Sequence, residues 1–294
     1  MRPLRYFSCF SGIGGSELAI KKVFPNSICV GYSEIDPVAL EVYTAHFPTH
    51  RNYGDISKIK VSDFPECDLI LGGSPCQGFS SHNQNGKGWD DKRSRLLLKF
   101  ITLIKKTGTP YFLLENVSSM SNDIRDKISD LLDCDPVFIK SAQFTPQDRN
   151  RFYWANFDIS PVPERFDGGN LGDILVPRFK APKLELTIQG ESIYKVLPHS
   201  KRVYALRHMT DHHYSPRNDQ KSNPVLTTQS LSSLVRDGHQ FRYLLPIELE
   251  RLQGFPDDWT SLLVYKGKRQ KCIGNAFTVP VIVFILKSLK RAIK

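Results

Sequence analysis

Short apolar runs alternate with amphipathic stretches through the first half of the chain, and this alternation restricts the fold more than any other feature. Five runs have the pattern of buried strands: residues 6–10, 28–33, 69–73, 111–115 and 137–139. Between them, apolar residues recur at helical spacing in residues 16–23, 37–46, 93–106 and 124–132. Such strand–helix alternation predicts an α/β fold with a mainly parallel sheet covered on both faces. In sheets of this kind ligands bind beyond the carboxyl ends of the strands.

The pattern changes after about residue 159, where prolines and glycines interrupt it. No long helical period appears until residues 246–253, which is typical of a smaller, loop-rich second domain. Residues 279–293 again show an amphipathic helical pattern, and we expect this helix to return to the first domain. We therefore predict a first domain of residues 1–159 plus 270–294 and a second domain of residues 160–269.

Most of the net charge belongs to the second part of the chain. Forty lysines and arginines against thirty acidic residues give a formal charge of +10. Residues 1–159 hold 19 basic and 18 acidic side chains, whereas residues 160–294 hold 21 and 12. A basic excess favours a polyanionic partner. Much of this excess lies in residues 266–271 and in the final helix, which predicts that these residues bind the phosphate groups of a polyanion.

The remaining global features argue against three classes of protein. No run approaches the ~18 apolar residues of a transmembrane helix, and the N-terminal stretch lacks the apolar core of a signal peptide. Six cysteines lie far apart without a C-x-x-C pair, which argues against a zinc site and against a disulfide framework. We expect a reduced, cytoplasmic setting with no membrane contact and no bound metal.

A glycine-rich turn follows the first predicted strand. Phe10-Ser11-Gly12-Ile13-Gly14-Gly15 fits the first two glycines of a dinucleotide fingerprint, but Glu17 stands at the third position. An acid there would oppose a pyrophosphate, so a diphosphate ligand is disfavoured. Glu34 and Asp55 end the next two segments and can accept hydrogen bonds from two ribose hydroxyls and from an exocyclic amine. The set favours a nucleoside cofactor without phosphates. The alternatives are a tight structural turn and acids that merely end strands or cap helices.

A cysteine and a carboxylate follow neighbouring predicted strands. Cys76 lies in Gly72-Gly73-Ser74-Pro75-Cys76-Gln77 beyond one strand, and Glu115 ends the next. A nucleophilic thiol beside an acid suits addition to an electron-poor ring that must be protonated as it is attacked. Gln147-Asp148-Arg149-Asn150-Arg151 then alternates arginine with polar residues, which predicts that Arg149 and Arg151 share one face of a strand. The alternatives are a small buried cysteine and an exposed basic strand.

These elements occur together in one known family. Phe-x-Gly-x-Gly, Pro-Cys-Gln, Glu-Asn-Val and Gln-x-Arg-x-Arg stand in this order along the chain. They are followed by Arg251-Leu252-Gln253-Gly254-Phe255-Pro256 and Gly274-Asn275-Ala276-Phe277-Thr278-Val279-Pro280. Over essentially its whole length the sequence resembles the DNA (cytosine-5)-methyltransferase family. Some details are similar to the eukaryotic de novo branch, whereas Gln77 and Gly274-Asn275 look bacterial. We therefore expect a compact prokaryotic, phage or viral enzyme, located in the cytoplasm, or in the nucleus if eukaryotic.

The resemblance implies a fold and a role for each site residue. The fold would be a Rossmann-like S-adenosylmethionine-dependent methyltransferase domain with a smaller, loop-rich target-recognition domain, residues 160–269. Cys76 would attack C6 of a flipped-out cytosine, and Glu115 would contact N3 and the amino group. Arg151, with Arg149 nearby, would hold the base and the catalytic acid. S-adenosyl-L-methionine, which leaves S-adenosyl-L-homocysteine as product, would bind Phe10, Gly12, Ile13, Gly14, Glu34, Asp55, Ile56, Pro75, Leu96 and Asn275.

The resemblance also implies partners. Residues 78–95 resemble the family's mobile catalytic loop, and residues 223–228 resemble a Thr-Leu-Thr element of the target-recognition domain. The expected substrate is double-stranded DNA, and a cognate restriction endonuclease is a candidate partner. A tRNA cytosine-5 methyltransferase and a non-catalytic DNA-binding homologue are the alternatives. The chain lacks the Cys-Phe-Thr element usual in the RNA-acting subfamily and keeps Cys76, Glu115 and the glycine-rich turn, which favours DNA methylation.

Overall fold

The computed structural model divides the chain into two compact units. It describes residues 2–75, 92–164, 168–177, 204–210, 213–217, 219–227, 234–237 and 240–293. The first unit consists of Met1–Ile139, Asn150–Val162 and Val279–Lys294, and the second of Lys140–Arg149 and Pro163–Thr278. Residues 140–149 and 270–278, which the sequence analysis assigned to the first domain, fall in the second unit. The division of labour between catalysis and target recognition stays a prediction.

A six-stranded sheet forms the core of the first unit. Its strands are β1 (Arg5–Cys9), β2 (Ile28–Ser33), β3 (Leu69–Gly73), β4 (Tyr111–Val117), β5 (Val137–Lys140) and β6 (Asn150–Ala155). They lie in the order β2-β1-β3-β4-β6-β5, with parallel pairing from β2 to β4 and antiparallel pairing of β4 with β6. The predicted α/β class with a mainly parallel sheet is confirmed. The strand order reverses between β1 and β3, and open α/β sheets bind ligands at such a switch point.

Helices connect the strands of this sheet and cover it. They are α1 (Gly15–Val23), α2 (Pro37–His46), α3 (Lys92–Thr107) and α4 (Asn122–Leu132). The start of α2 shows how the sequence places them: the Asp36 side chain accepts the Val38 N–H, and Pro37 occupies the first turn, where a missing N–H costs nothing. The central strands are buried, with Phe7 and Leu114 fully inaccessible to solvent, whereas Ile28 of β2 and Phe138 of β5 are exposed.

The second unit contains a four-stranded antiparallel sheet, which the sequence analysis did not predict. Its strands are β7 (Tyr204–Thr210), β8 (His213–Pro216), β9 (Leu234–Asp237) and β10 (Gln240–Tyr243), in the order β10-β9-β7-β8. Among the described residues of this unit, the helices are α5 (Leu171–Ile174), α6 (Pro246–Gln253) and α7 (Lys266–Asn275). Helix α7 was also missed, because its basic residues and two glycines leave no apolar helical period. Strands β8, β9 and β10 have four residues each, which is too few for alternation to stand out.

The last helix, α8 (Val279–Ala292), belongs to the first unit and packs on α1, as expected. Lys290 Nζ donates to the carbonyl oxygen of Val23 at 2.7 Å, at the end of α1, where the helix dipole favours a cation. Arg291 Nη1 donates to Ser160 Oγ at 2.8 Å. Two basic side chains of the final helix, which the charge count assigned to phosphate binding, are therefore used within the fold.

One stretch, residues 266–292, is long and apolar enough to cross a membrane by length and composition alone. In the structure this stretch is two helices, α7 and α8, separated by residues 276–278. About two thirds of its most apolar window, 67%, is buried inside the protein. Buried core helices pass the same test, so the stretch is weak support for a membrane span.

Candidate active site

The glycine-rich turn after β1 holds three residues in the left-handed region. The φ angles are 55° at Phe10, 55° at Gly12 and 84° at Gly14. Glycine adopts this region without a steric penalty, whereas Phe10 does so at a cost. Gly14 is required for a second reason, since a Cβ atom there would lie 2.4 Å from Cε2 of Phe47. The turn at the switch point of the sheet is therefore closely packed at Gly14, whereas a Cβ atom at Gly12 would meet nothing within 4 Å.

Glu34 joins the end of β2 to this loop. Its Oε2 accepts the Gly12 N–H at 2.8 Å, and its Oε1 accepts the N–H groups of Ile35 at 2.7 Å and Asp36 at 2.8 Å. An ionised carboxylate offers about four acceptor sites, so these three bonds leave one. Glu34 thus retains about one acceptor site beyond these backbone bonds, and its role at a ribose stays a prediction.

Asp55 follows the neighbouring segment and starts a short 3-10 turn, Ile56–Lys58. Its Oδ1 accepts the Ser57 N–H at 2.9 Å, and hydrogen bonds from the Ser57 side chain and backbone lower the pKa of the Asp55 carboxyl group. The segment is tied to Glu34, because Asn52 Nδ2 donates to the Glu34 carbonyl oxygen at 3.1 Å and Asn52 Oδ1 accepts the Gly54 N–H at 2.9 Å. The lowered pKa keeps Asp55 ionised, and the contacts of Asn52 hold its segment beside the end of β2.

The other predicted cofactor residues of the first unit differ in exposure. Ile13 is fully buried and Ile56 is 3% exposed, so both side chains belong to the core. Pro75 and Leu96 are half-buried. Pro75 follows β3 on the far side of the switch point from the glycine-rich turn. The structure therefore places the turn and Pro75 at the ends of adjacent strands, β1 and β3.

The chain that leads to the predicted nucleophile is anchored through Ser74. Asn116 of the Glu-Asn-Val motif is fully buried, and its Nδ2 donates to Ser74 Oγ at 3.0 Å. Its Oδ1 accepts the Val117 N–H at 2.8 Å. Cys76 itself lies outside the described residues, as does most of the predicted catalytic loop. The bond to Asn116 fixes the backbone two residues before Cys76.

Glu115 and Arg151 form an ion pair at the adjacent strand ends. Arg151 Nε lies 2.9 Å from Glu115 Oε1, and the two side chains are only 17% and 12% exposed. Glu115 is in register with Gly73 of β3 and with Tyr153 of β6. The predicted acid and its predicted arginine partner are therefore in direct contact, beside the strand whose extension carries Cys76.

Arg149 has different partners, in the second unit. Its side chain is 6% exposed, and the guanidinium donates to the carbonyl oxygens of Val225 at 3.3 Å, Gly274 at 3.1 Å and Ala276 at 3.3 Å. It thus joins the Thr-Leu-Thr-like segment to the end of α7. Gly274 permits this approach, since a Cβ atom there would lie 2.6 Å from the backbone of Leu226. Asn275, at the end of α7, is exposed.

Two buried glutamines complete this cluster and were not assigned a role from the sequence. Gln147 Nε2 donates to the Leu252 carbonyl oxygen at 3.1 Å and to Gln253 Oε1 at 3.2 Å, and Gln147 Oε1 accepts the Val225 N–H at 2.9 Å. Gln253 Nε2 donates to the Ile273 carbonyl oxygen at 3.0 Å. The motifs of the second half of the chain therefore meet in one hydrogen-bond network. Both glutamines lie inside the sequence motifs named above, and this position was the signal that could have identified them.

Ile35 is a second feature that sequence reasoning missed. This residue directly follows Glu34, and its apolar side chain is 64% exposed. The Ile35 side chain therefore leaves an exposed apolar surface at the end of β2, beside Glu34. The signal was an apolar residue between two acids at the end of a predicted strand.

The described residues contain no group of three or more histidine, cysteine or acidic side chains arranged to hold a metal ion. The absence of a metal role stays a prediction. The site instead offers hydrogen-bond acceptors around the glycine-rich turn and one carboxylate–guanidinium pair.

Comparison with known proteins decides the family. The family model described as C-5 cytosine-specific DNA methylase matches residues 4–165 and 181–291, which is most of the chain. The chain belongs to this family. The predicted resemblance and enzyme class, DNA (cytosine-5)-methyltransferase, are confirmed at the level of the family.

Individual relatives agree with this assignment. The orphan methyltransferase M.Rho11sI of Bacillus phage rho11s is 36% identical over 165 residues, which cover 52% of this chain and 33% of the phage protein. The type II methyltransferase M1.ScrFI of Lactococcus lactis subsp. cremoris is 29% identical over 319 residues, which cover 95% of this chain and 76% of that protein. The chain thus spans a third of the first relative and about three quarters of the second.

A solved structure supports the fold independently. The crystal structure of the Schizosaccharomyces pombe Dnmt2 methyltransferase superposes with a TM-score of 0.72 over 100% of both chains, at 19% sequence identity. At this identity the likeness concerns the fold alone. The predicted methyltransferase fold is confirmed.

Proposed function

We propose that this chain transfers a methyl group from S-adenosyl-L-methionine to C5 of a flipped-out cytosine in double-stranded DNA, through a covalent bond between Cys76 and C6. The observation that carries the proposal is the Glu115–Arg151 ion pair, 2.9 Å between Nε and Oε1, in register with the end of β3. An acid positioned by a guanidinium at that edge suits protonation of a ring while a nucleophile from the next strand end attacks it.

The proposed steps balance in atoms and electrons. The Cys76 thiolate forms a bond to C6, and the electrons of the C5–C6 double bond become available at C5 as N3 gains a proton from Glu115. C5 then bonds the methyl group, which S-adenosyl-L-methionine supplies when bound. The donor leaves as S-adenosyl-L-homocysteine. Loss of the C5 proton to water restores the double bond and expels the thiolate from C6, and N3 returns its proton to Glu115. Arg151 holds Glu115 by Oε1, and the role proposed for Glu115 at the base uses its other oxygen.

The residues at the switch point fit the adenosyl part of this cofactor. Glu34 retains one acceptor site for a ribose hydroxyl, and Asp55, whose pKa is lowered, can accept the adenine amine as an anion. The ring of Phe10 and the exposed side chain of Ile35 would flank the adenine. Gly12, Gly14 and Pro75 would contribute backbone and packing contacts.

Exposed lysines support double-stranded DNA as the second substrate. Lys266 and Lys268 are exposed on α7, next to the exposed side chains of Val264 and Tyr265. Arg269, on the same helix, is 15% exposed and pairs with Glu250 at 2.9 Å, so it serves the fold. The exposed lysines would contact phosphates without reading sequence. Target recognition by the second unit, a cognate endonuclease and a cytoplasmic location belong to the same proposal.

The test uses DNA that traps the covalent intermediate. The substrate is duplex DNA amplified with 5-fluorodeoxycytidine triphosphate in place of the ordinary cytosine nucleotide. It is incubated, together with labelled S-adenosyl-L-methionine, with the wild type, with Cys76→Ser or with the control Cys134→Ser. Since fluorine at C5 cannot leave as a proton does, we expect a gel-stable adduct with the wild type and with Cys134→Ser, and none with Cys76→Ser. Methyl transfer to tRNA but not to DNA would favour the RNA-acting alternative. Cofactor binding without transfer to either would favour the non-catalytic homologue.

A further inference from the structure

The carboxylic side chain of Glu17 lies in the interior of the first unit, not at the ligand. Glu17 occupies the first turn of α1, directly after the glycine-rich turn, and is 1% exposed. We expected an acid at this position to face a ligand and repel it, but the Glu17 side chain is buried instead. A buried carboxyl group is costly unless hydrogen bonds compensate for its lost hydration, so its partners need an explanation.

A chain of hydrogen bonds connects Glu17 to three other elements of the first unit. Ser16 Oγ donates to Glu17 Oε2 at 2.9 Å and lies 2.9 Å from Ser8 Oγ of β1. Tyr43 of α2 donates from its hydroxyl group to Glu17 Oε1 at 2.9 Å, and the same hydroxyl lies 3.0 Å from His50 Nδ1. The network therefore links β1, α1, α2 and the segment after α2.

The network closes the base of the glycine-rich turn. Ser8 and Ser16 stand on the two sides of residues 10–14, and their hydroxyl groups are joined. The turn contains three left-handed residues, including Phe10, and such backbone persists only when its surroundings over-determine it. The bonds of Ser16 and Glu17 supply that restraint at the point where the turn enters α1.

The same network reaches the end of β2. The ring of Tyr43 stacks on Tyr32 with centroids 3.9 Å apart, and Tyr32 lies two residues before Glu34. Glu34 in turn accepts the Gly12 N–H. Glu17 thus connects, through Tyr43, the two elements that the proposed function assigns to the cofactor.

We infer that Glu17 is a positioning residue for the cofactor: its buried carboxyl group, through Ser16 and Tyr43, holds the glycine-rich turn and the end of β2 in the arrangement that binds the adenosyl part of S-adenosyl-L-methionine. This inference rests on the proposed function. Burial raises the pKa of Glu17. Burial also raises the pKa of Tyr6, Cys29 and Tyr43, whose side chains face it, so these neighbours stay neutral.

The experiment compares cofactor affinity with stability in a matched set of variants. The dissociation constants for S-adenosyl-L-methionine and S-adenosyl-L-homocysteine are measured by calorimetry, and the melting midpoint by scanning calorimetry. Glu17→Leu should weaken binding about tenfold or more, the usual cost of buried polar partners left unsatisfied. Glu17→Gln, which keeps an acceptor for Tyr43, should restore affinity to within about threefold of the wild type. Ile20→Val, at a fully buried position of α1, should lower the midpoint and leave affinity unchanged.

Tyr43→Phe keeps the test decisive if Glu17→Leu does not fold. Removing one hydroxyl group leaves the ring stack intact, and we expect several-fold weaker cofactor binding with KM for the cofactor raised and kcat little changed. Wild-type affinity in folded Glu17→Leu or Tyr43→Phe would overturn the inference, as would an equal loss of affinity in Ile20→Val. If the wild type itself binds no S-adenosyl-L-methionine, the proposed function fails, and that result is distinct from equal binding by all variants.

Discussion

The two arginines of Gln147-Asp148-Arg149-Asn150-Arg151 have different partners, and this difference leads to opposite predictions for the same substitution. Arg149 binds three carbonyl oxygens within the second unit, whereas Arg151 binds Glu115 in the first. We expect Arg149→Met to destabilise the second unit. We expect Arg151→Met to leave a folded protein without activity.

The magnitude for Arg149 follows from its contacts. Its three hydrogen bonds, at 3.1 to 3.3 Å, are longer than the ~2.8 Å of strong charge-assisted bonds, so we assign each about 1 kcal/mol. Arg149→Met should therefore lower the free energy of unfolding of the second unit by about 3 kcal/mol. The second unit has about 126 residues, so at about 2.1 cal/mol/K per residue that loss corresponds to a fall of roughly 11 °C in its melting midpoint.

The magnitude for Arg151 concerns the reaction instead. Both side chains are mostly buried, at 17% and 12% exposed, so Arg151→Met should also lower the stability of the first unit, because Glu115 is left without this partner. Loss of a positioned acid typically costs roughly 10²- to 10⁴-fold in rate, and kcat should fall in that range.

Scanning calorimetry with deconvolution of the two units, together with a methyl-transfer assay, separates the two outcomes. Arg149→Met with less than about 1 kcal/mol of destabilisation would contradict its role as a clamp. Arg151→Met with activity within about tenfold of the wild type would contradict its role in positioning the acid.

Three further predictions concern other parts of the molecule. Ser74→Ala removes the acceptor of a buried Asn116 amide, and urea unfolding should show a loss of about 1–2 kcal/mol; a loss below the error of the fit would disprove that anchor. Lys266→Glu combined with Lys268→Glu should reduce the slope of log K against log salt for duplex DNA by about two, and an unchanged slope would place phosphate contact elsewhere. Because the folded protein keeps the Glu17 proton that the unfolded chain loses, the contribution of Glu17 to the wild-type free energy of unfolding should fall as pH rises from 4.5 through the raised pKa. The deficit relative to Glu17→Gln should therefore grow across that range in urea titrations, and a constant difference would refute the raised pKa.

The first half of the fold was predictable because its strands and helices carry regular apolar periods. The predicted bounds of β2, β3 and α2 match the structure end to end, and β1 is displaced by one residue. In the second unit, short strands and the basic helix α7 lack such periods, so composition suggested loops where a sheet and a helix exist. Apolar periodicity reveals long helices and strands that have a buried face, but short or polar elements do not show it.

The candidate site was predictable as a set of residues but not as a set of contacts. Motif order brought Glu115 and Arg151 into one hypothesis, and the structure joins them. Arg149 appeared equivalent by alternation, yet its partners come from residues 225 and 274–276, which no local pattern connects to it. The inward direction of Glu17 depends on Tyr43, on another helix, and so was equally beyond reach of local reasoning.

The network around Gln147 has a consequence for the order in which the protein is made. Gln147 and Arg149 find their partners among residues 225, 252–253 and 274–276, which leave the ribosome more than 70 residues later. At about 5–20 residues per second, these polar side chains wait roughly 4–25 seconds for the groups that bury them. During synthesis the nascent chain therefore carries residues 147–149 before the groups that satisfy their side chains have been made. Substitutions that slow closure of this network should increase chaperone dependence before they lower the stability of the finished protein.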